Sequence, residues 1–314
     1  MSESDRNKNK GPRGRGRPQL ARPPREERAS RSEQKSAFVP DPGNADPAQE
    51  KLTKICGLAA VTALFRQDAG RAVRLYYSEG IKAAAGPLCA RMAEIRRIYR
   101  LVTDEELARI AGTVHHGGIV AAARPRPLLP FDSDMAERWA EAGAPLVALD
   151  GVGNPHNLGA IARTLAFFGL PRLLLSGHHA QAGLSDAAYR VAEGGLEYVD
   201  IFEAPHLPQA LKEIKDAYRV VGTALRGGRS LGALPQDPRP ICLVLGNEED
   251  GLPEATLRAC EALITIRGSR AVQSLNVSAT AAILIAQIAS RARFAEKQSR
   301  EPYRAARSGR TLKR

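Results

Sequence analysis

The sequence has few cysteines, few aromatic residues and no long apolar run. Its four cysteines stand singly, without Cys-x-x-Cys spacing, at Cys56, Cys89, Cys242 and Cys260. Neither a disulfide framework nor a zinc site is therefore predicted. No stretch reaches the roughly 18 apolar residues of a membrane span, and the polar, basic N-terminus has no apolar signal core. We expect a cytoplasmic protein that binds no metal and does not enter a membrane.

The positive charge of the chain lies at its two ends. The formal net charge is +12, and residues 1–35 hold 11 Lys and Arg against 5 Asp and Glu. Residues 291–314 hold 9 against 2, so the segment between the two ends is close to neutral. Extended basic segments neutralise phosphates without reading sequence, which favours RNA as a partner. Such tails can also serve solubility alone.

Composition divides the chain into five segments. Residues 1–49 have too few large apolar residues to form a core and are predicted to be a disordered basic tail. A small α/β domain is expected over 50–125, a linker with one short helix over 126–145, and a second α/β domain over 146–292. Residues 293–314 are predicted to be a basic C-terminal tail.

Hydrophobic patterning places elements in both domains. In the first, a helix is expected from Ile55, and a second over 81–97 is expected to be interrupted at Gly86-Pro87. In the second, a long last helix runs from about 275 to 291, and strands are expected at 146–150, 172–176, 197–202, 218–224, 240–245 and 263–267. This alternation predicts a mostly parallel sheet that binds ligands beyond the carboxyl ends of its strands.

The stretch from Leu149 to Gly169 is typical of a strand end, a polar turn and a helix. Asn157 is expected to cap the helix, whose N-terminus offers free N–H groups and partial positive charge to an anionic ligand. Arg163 lies beyond the first helical turn and could reach a phosphate or a substrate oxygen. An ordinary turn followed by a surface arginine is the alternative.

Two further loops carry unusual polar residues. Gly246-Asn-Glu248-Glu-Asp-Gly251-Leu252 follows a predicted strand, and Ser274-Leu-Asn276-Val-Ser278 leads into the last helix. These polar residues could form a binding site, or they could have a structural role only. In the structural reading, Glu248 caps the helix that begins near Pro253 and Ser274 caps the last helix.

Two common nucleotide sites are not supported. Gly151-x-Gly153 follows a strand, but His156 stands where a dinucleotide-binding loop needs its third glycine. The loop from Gly246 to Gly251 lacks the Lys-Ser/Thr of a phosphate-binding loop. Neither a nicotinamide cofactor nor ATP is predicted.

Together the three loops resemble the three sequence motifs of the SpoU/TrmH family of SPOUT-class RNA methyltransferases. The matching patterns are Asn157-x-Gly159-x-x-x-Arg163, Gly246-x-Glu248-x-x-Gly251-Leu252 and Ser274-Leu-Asn276-Val-Ser278, in the family's order. The resemblance covers about residues 51–291. It implies transfer of a methyl group from S-adenosylmethionine to a ribose 2′-hydroxyl of tRNA or rRNA.

The resemblance also implies a fold and an assembly. A C-terminal SPOUT domain, with a mostly parallel sheet and a deep trefoil knot, would follow a small, ribosomal-protein-like α/β domain that binds the RNA substrate. The family is dimeric, and its active site draws residues from both subunits, so a homodimer is expected. The apolar last helix suits burial against both the sheet and a partner, although burial within one subunit would explain it too.

Residue roles follow from the resemblance by motif position. Activation of the ribose hydroxyl is assigned to Arg163, with Asn157, Glu248, Ser274 and Asn276 as supporting polar residues. The S-adenosylmethionine contacts would be Gly246, Ile266, Leu275, Thr223 and Ala224. Because a guanidinium is normally always protonated, orienting the hydroxyl and a phosphate is the expected role of Arg163.

Two alternatives to this function stay open. A non-catalytic RNA-binding protein could retain the fold, and a methyltransferase could act on a base or another nucleophile. In the first domain, Arg91, Arg96, Arg97 and Arg100 surround Tyr99, which suits contact with RNA but also suits a solvated helix face. The tandem histidines His115 and His116 beside two glycines are another candidate for ligand contact.

Overall fold

The structure is a computed structural model that describes residues 51–269 and 271–291. The predicted tails, 1–49 and 293–314, lie outside the described residues. Within the described part of the chain, no helix combines the length and hydropathy that crossing a bilayer requires. All four cysteines are free thiols.

The first part of the chain forms a mixed four-stranded sheet. Its strands, in the spatial order β1-β4-β2-β3, are β1 (Thr53–Cys56), β2 (Ala72–Tyr77), β3 (Ile98–Leu101) and β4 (Ile119–Ala123). Its helices are α1 (Leu58–Asp68), α2 (Lys82–Glu94) and α3 (Asp104–Ala111). Thr103 caps α3 by accepting a hydrogen bond from the backbone N–H of Glu106, and Gly112 ends it at a φ of 68°. The predicted small α/β domain is therefore present.

Two expectations for this domain were wrong. Ile55 was expected in a helix, but it lies in β1 opposite Ala121, and the helix begins only after Gly57 turns the chain at a φ of 88°. The chain also continues in α2 through Pro87 without an interruption. Proline inside a helix costs about 3 kcal/mol, which the buried face of α2, including Leu88 and Met92, offsets.

The second part forms a seven-stranded sheet in which every pairing found among the described residues is parallel. Along the chain, its strands are β5 (Leu129–Pro130), β6 (Leu146–Asp150), β7 (Arg172–Ser176), β8 (Asp200–Ala204), β9 (Arg219–Thr223), β10 (Ile241–Gly246) and β11 (Ala262–Ile264). Their spatial order in the sheet is β11-β9-β10-β6-β7-β8-β5. The helices are α4 (Ser133–Glu141), α5 (Pro155–Phe167), α6 (Asp186–Ala192), α7 (Leu207–Glu213), α8 (Glu254–Ala259) and α9 (Val277–Arg291). The predicted mostly parallel sheet is confirmed.

Helices cover both faces of this sheet, and every residue of β6 and β7 is buried. One core joins residues of α5, α6 and α9 to residues of the first domain. The other core packs α4 and α7 on the opposite face. The deep trefoil knot stays a prediction.

The stretch 126–145, predicted as a linker with one short helix, carries that helix, α4, and also a strand of the second sheet, β5, that was not expected. Leu129 and Pro130 form β5, which pairs with β8, and α4 begins where Asp132 accepts a hydrogen bond from the N–H of Met135. The strand β5 was missed because its two residues, in a polar, proline-rich stretch, are too few to show any hydrophobic period.

Candidate functional site

The loops singled out in the sequence meet at the carboxyl edge of the parallel sheet. β10 lies between β6 and β9, and the connections from these strands leave the sheet on the same edge. A cavity of about 320 Å³ opens there. Crevices at the carboxyl edge, where the strand order reverses, are the usual ligand sites of such sheets.

Asn154, and not Asn157, caps α5. Its side-chain oxygen accepts a hydrogen bond of 2.8 Å from the backbone N–H of His156, and Pro155 occupies the first helical position. The expected capping role of Asn157 was therefore wrong, because the helix begins before that residue. Asn157 is buried within the first turn, where its side-chain amide donates a hydrogen bond to Oε1 of Glu248.

The loop after β10 is a tight turn built around Asn247. Its backbone exchanges hydrogen bonds of 2.9 and 3.0 Å with Gly251, and its side-chain amide donates to the carbonyl of Gly151, 2.8 Å away. A Cβ on Gly246 would stand 2.4 Å from the carbonyl carbon of Gly251. Only glycine therefore allows the turn to close over the end of β10. Pro253 precedes α8 without any side-chain cap, so Glu248 does not cap that helix.

The third loop leads into α9. Oδ1 of Asn276 accepts hydrogen bonds from the N–H and the hydroxyl of Ser278, at 2.8 and 2.6 Å. Asn276 thus supports the start of α9, a role that the sequence left open for Ser274. Ser274 and Leu275 instead line the cavity.

All five residues predicted to contact the cofactor lie on the cavity wall, and so do Glu248 and Ser274. The wall residues that received no role from the sequence are mainly apolar: Leu225, Leu252, Leu257, Ile264, Val277 and Leu284. Leu252 and Val277 belong to the second and third motifs, whereas the other four carried no signal except proximity to the motifs. Among the described residues, the charged members of the wall are Glu248 and Asp250, and both are acidic.

Arg163 lies outside this wall, on the exposed face of α5. Its Nη2 atom forms an ion pair of 2.9 Å with Oε2 of Glu193, and both side chains are 56% exposed. Gly159, between the two motif residues of α5, has a packing role, because a Cβ there would stand 2.3 Å from the carbonyl oxygen of Ala188 in α6.

The basic cluster of the first domain lies at a sheet edge. All four residues of β3 are exposed, with Tyr99 at 43% exposure, and Arg96 before it is exposed too. His116, by contrast, is buried, and its Nδ1 accepts a hydrogen bond from the N–H of Gly118 in the same turn. No group of three potential metal ligands occurs in the described part of the chain.

A larger cavity of about 850 Å³ lies at the opposite, amino edge of the sheet. Its wall residue Arg239 pairs with Asp237 of the same wall at 2.7 Å and with the neighbouring Glu261 at 2.8 Å. Hydrogen bonding from Arg239 lowers the pKa of Asp237 to about 2. None of the three motif loops contributes to its wall, so it is not the candidate site.

Family models match both parts of the described chain. Residues 144–286 match the SpoU rRNA Methylase family, and residues 54–129 match the family described as RNA 2′-O ribose methyltransferase substrate binding. The fold and the site thus define an RNA methyltransferase with its own substrate-binding domain. The chain belongs to the SpoU rRNA methylase family.

Individual relatives support this assignment. The chain is 30% identical over 233 residues to the 23S rRNA (guanosine-2′-O-)-methyltransferase RlmB of Nitrosomonas europaea, covering 74% of this chain and 88% of that protein. It is 31% identical over 257 residues to the uncharacterized tRNA/rRNA methyltransferase YfiF of Escherichia coli O157:H7, covering 81% and 72%. The crystal structure of an rRNA methyltransferase from Sinorhizobium meliloti superposes with a TM-score of 0.60 at 25% identity, covering 77% and 88%.

Proposed function

We propose that this chain transfers a methyl group from S-adenosylmethionine to a ribose 2′-hydroxyl of RNA, with ribosomal RNA as the first candidate substrate. The observation that carries the proposal is a cavity lined by the second and third motif loops, to which the first motif is joined by the hydrogen bond from Asn157 to Glu248. The rRNA methyltransferases among its relatives support the choice of RNA.

The cavity suits S-adenosylmethionine in size, polarity and charge. Its volume of about 320 Å³ falls in the range of small-molecule sites. The apolar wall, including Ile266 and Leu275, fits an adenine ring, whereas acidic Glu248 and Asp250 complement the positive sulfonium and ammonium groups. When bound there, the cofactor supplies an electrophilic methyl group.

The residues of this chain then act on the RNA. A ribose hydroxyl is a poor nucleophile, so it must be oriented toward the methyl group and must lose its proton during transfer. Arg163 carries five N–H donors on a rigid helix, and it binds the ribose oxygen or an adjacent phosphate. The hydrogen bond from Asn157 to Glu248 holds the first turn of α5, on the proposed RNA side, against the loop after β10, on the proposed cofactor side.

A homodimer completes this site in our proposal. Arg163 lies outside the cavity wall of its own chain, so a second copy is the natural source of the arginine beside each cavity. The outer face of α9 offers an uncharged contact surface, formed by the exposed residues Ala279, Ile283, Gln287 and Ser290. At the end of α5, Phe167 is 82% exposed, which is unusual for an aromatic side chain on a monomer.

Binding of RNA is proposed for the first domain. The exposed strand β3 presents Tyr99 for stacking and Arg100 for phosphate contact, the combination that single-stranded RNA sites use. The edge position of β3 leaves this surface open to a large substrate.

The decisive test is methylation of RNA from a strain that lacks the gene. Purified protein, labelled S-adenosylmethionine and this RNA should give incorporation into ribose, and nuclease mapping should locate it at one nucleotide that is unmethylated in the deletion strain. Incorporation into a base would instead support the alternative nucleophile. Absence of incorporation, with RNA binding retained, would support a non-catalytic RNA-binding protein.

A further inference from the structure

The five residues Glu193-Gly194-Gly195-Leu196-Glu197, here called the 193–197 segment, connect Arg163 to the first domain. The segment follows α6, and its first residue forms the ion pair with Arg163. Its last residue forms a buried ion pair of 2.7 Å with Arg71, just before β2. One short segment thus contacts both the candidate catalytic arginine and the substrate-binding domain.

The backbone of Glu193 adopts a conformation that favours glycine. Its φ of 44° and ψ of 42° lie in the left-handed region at the end of α6. A non-glycine residue there costs about 1 to 2 kcal/mol relative to the right-handed conformation. Such strained residues are concentrated at functional sites, where the surrounding structure holds them in place. Nothing in the hydrogen bonding of α6 requires a carboxylate at this position, whereas the ion pair with Arg163 does.

Close packing holds the segment in place on both sides. A Cβ on Gly194 would stand 2.8 Å from the Cβ of Ala63 in α1, and one on Gly195 would stand 2.7 Å from the Cα of Arg163 in α5. The two glycines therefore bring α1 and α5 into contact with the same few backbone atoms. The carboxylate of Glu193 projects from a segment that cannot easily shift.

The ion pair leaves most of the guanidinium available. It joins one nitrogen of Arg163 to one oxygen of Glu193, and both side chains remain half exposed. A single contact fixes the direction of a long side chain that would otherwise sample many rotamers. The remaining N–H donors can still bind a phosphate and a ribose oxygen.

We propose that Glu193 is a positioning residue for methyl transfer, which orients Arg163 toward the RNA from a segment anchored on the substrate-binding domain. This inference rests on the proposed role of Arg163. Glu193 acts through that arginine and contacts neither the methyl group nor the ribose.

Three substitutions separate positioning from structural support. Glu193→Gln removes the charge at constant shape, Glu193→Asp keeps the charge on a shorter side chain, and Glu193→Gly removes the side chain but suits the left-handed backbone. Glu213→Gln is the matched control, because Glu213 is an exposed glutamate of α7 whose carboxylate binds the neutral amide of Gln209. The rate of a single turnover should be measured with saturating S-adenosylmethionine and RNA, beside the Kd of each ligand and the Tm.

We expect the wild type to be fastest, Glu193→Asp to be slower, and Glu193→Gln and Glu193→Gly to be slowest. The last two should lose about tenfold in rate, because a misplaced catalytic group costs this much or more. The Kd of S-adenosylmethionine should stay within about twofold of the wild-type value, because Glu193 is proposed to affect methyl transfer and not cofactor binding. The Tm of Glu193→Gly should equal or exceed that of the wild type, so that stability and rate move in different directions.

Three outcomes would each overturn a different part of the proposal. If Glu193→Gln transfers methyl groups at the wild-type rate while Arg163→Ala does not, Glu193 has no positioning role and the proposed function stands. If Arg163→Ala itself retains the wild-type rate, the proposed role of Arg163 fails first. A rate loss in Glu193→Gly accompanied by a lower Tm would mean that Glu193 supports the fold instead.

Discussion

Asn157 and Glu248 lie 91 residues apart in the sequence, yet the side-chain amide of Asn157 donates a hydrogen bond to the carboxylate of Glu248. The amide is buried in the first turn of α5, whereas Glu248 lines the cavity at the end of β10. This contact holds the helix that carries Arg163 against the cofactor loop of its own chain, and in the proposed homodimer it thereby sets where Arg163 reaches the cavity of the second copy. It is therefore the first place to perturb the site.

Asn157→Ala should lower methyl transfer more than cofactor affinity. A hydrogen bond to a charged group contributes about 1.5 to 3 kcal/mol, so a tenfold or greater loss of rate is expected once the two loops can separate. Titration calorimetry should find the Kd of S-adenosylmethionine changed by less than about threefold. Asn154→Ala is the comparison, since loss of the true cap should cost about 1 kcal/mol of stability. If Asn157→Ala changed the rate and the Kd by the same factor, the prediction that Asn157 acts on methyl transfer more than on cofactor binding would be wrong.

Arg163→Ala should abolish detectable methyl transfer while S-adenosylmethionine still binds. Arg163 lies outside the wall of the cavity formed by its own chain, so its removal leaves the contacts of that wall intact. Arg163→Lys keeps the charge but loses the planar set of donors, and it should restore only a small part of the rate. A large loss of cofactor affinity in Arg163→Ala would instead place this arginine at the methyl donor.

Gly246→Ala should destabilise the loop after β10 and weaken cofactor binding. Its Cβ would stand 2.4 Å from the backbone of Gly251, and forcing such contacts apart typically costs about 1 to 3 kcal/mol. Gly80→Ala is the matched control, because nothing lies within 4 Å of a Cβ at that exposed position. Denaturant unfolding and calorimetry should show both effects for Gly246→Ala and neither for the control. Wild-type affinity in Gly246→Ala would exclude this turn from the cofactor site.

Local patterns in the sequence predicted most of the parallel sheet, but not how its loops meet. The strands β6 and β7 were predicted at their observed positions, since uniformly apolar runs identify buried parallel strands well. Asn157 was assigned to a cap because capping is a local preference, whereas its actual partner, Glu248, is distant in sequence. β1 was missed because its four residues are too few to show a period against the helix that follows.

The sequence predicted which residues belong to the site, but not the contacts between them. The resemblance supplied Arg163 and the polar motif positions, yet the ion pair joins Arg163 of α5 to Glu193, the residue that follows α6. Glu193 carries no motif, and its left-handed backbone is visible only in three dimensions. Apolar wall residues such as Leu284 likewise reach the cavity because α9 packs beside it, and no local sequence pattern indicates this position.

Deleting residues 1–48 should weaken RNA binding in a salt-dependent way. Residues 1–35 carry 11 basic against 5 acidic side chains, and each phosphate contact adds about 0.7 to 0.9 to the steepness of the fall of log K with log salt. Filter binding between 50 and 200 mM salt should give a shallower slope for the truncated chain, with cofactor affinity unchanged. Identical slopes at equal affinity would assign the basic segment to solubility.

The buried pair of Arg71 and Glu197 should make stability depend on pH. Their side chains are 8% and 2% exposed, and burial raises the pKa of Glu197 above its ordinary 4.5 despite the neighbouring arginine. The folded protein therefore keeps this proton to a higher pH than the unfolded chain does. Ionising Glu197 costs folding free energy that is absent below the ordinary pKa and grows as the pH rises toward the raised one.

Urea unfolding of the wild type and Glu197→Gln at several pH values measures this cost directly. The stability of the wild type relative to the Gln variant should fall as the pH rises from about 4 toward neutrality, and a constant difference would contradict the raised pKa. Arg71→Met should lose about 3 to 5 kcal/mol near neutral pH, because it leaves a buried carboxylate unpaired. Arg91→Met breaks an exposed pair with Glu94 of similar length, 2.6 Å, and should cost less than about 1 kcal/mol. Burial, and not the ion pair as such, then determines how strongly the 193–197 segment is anchored to the first domain.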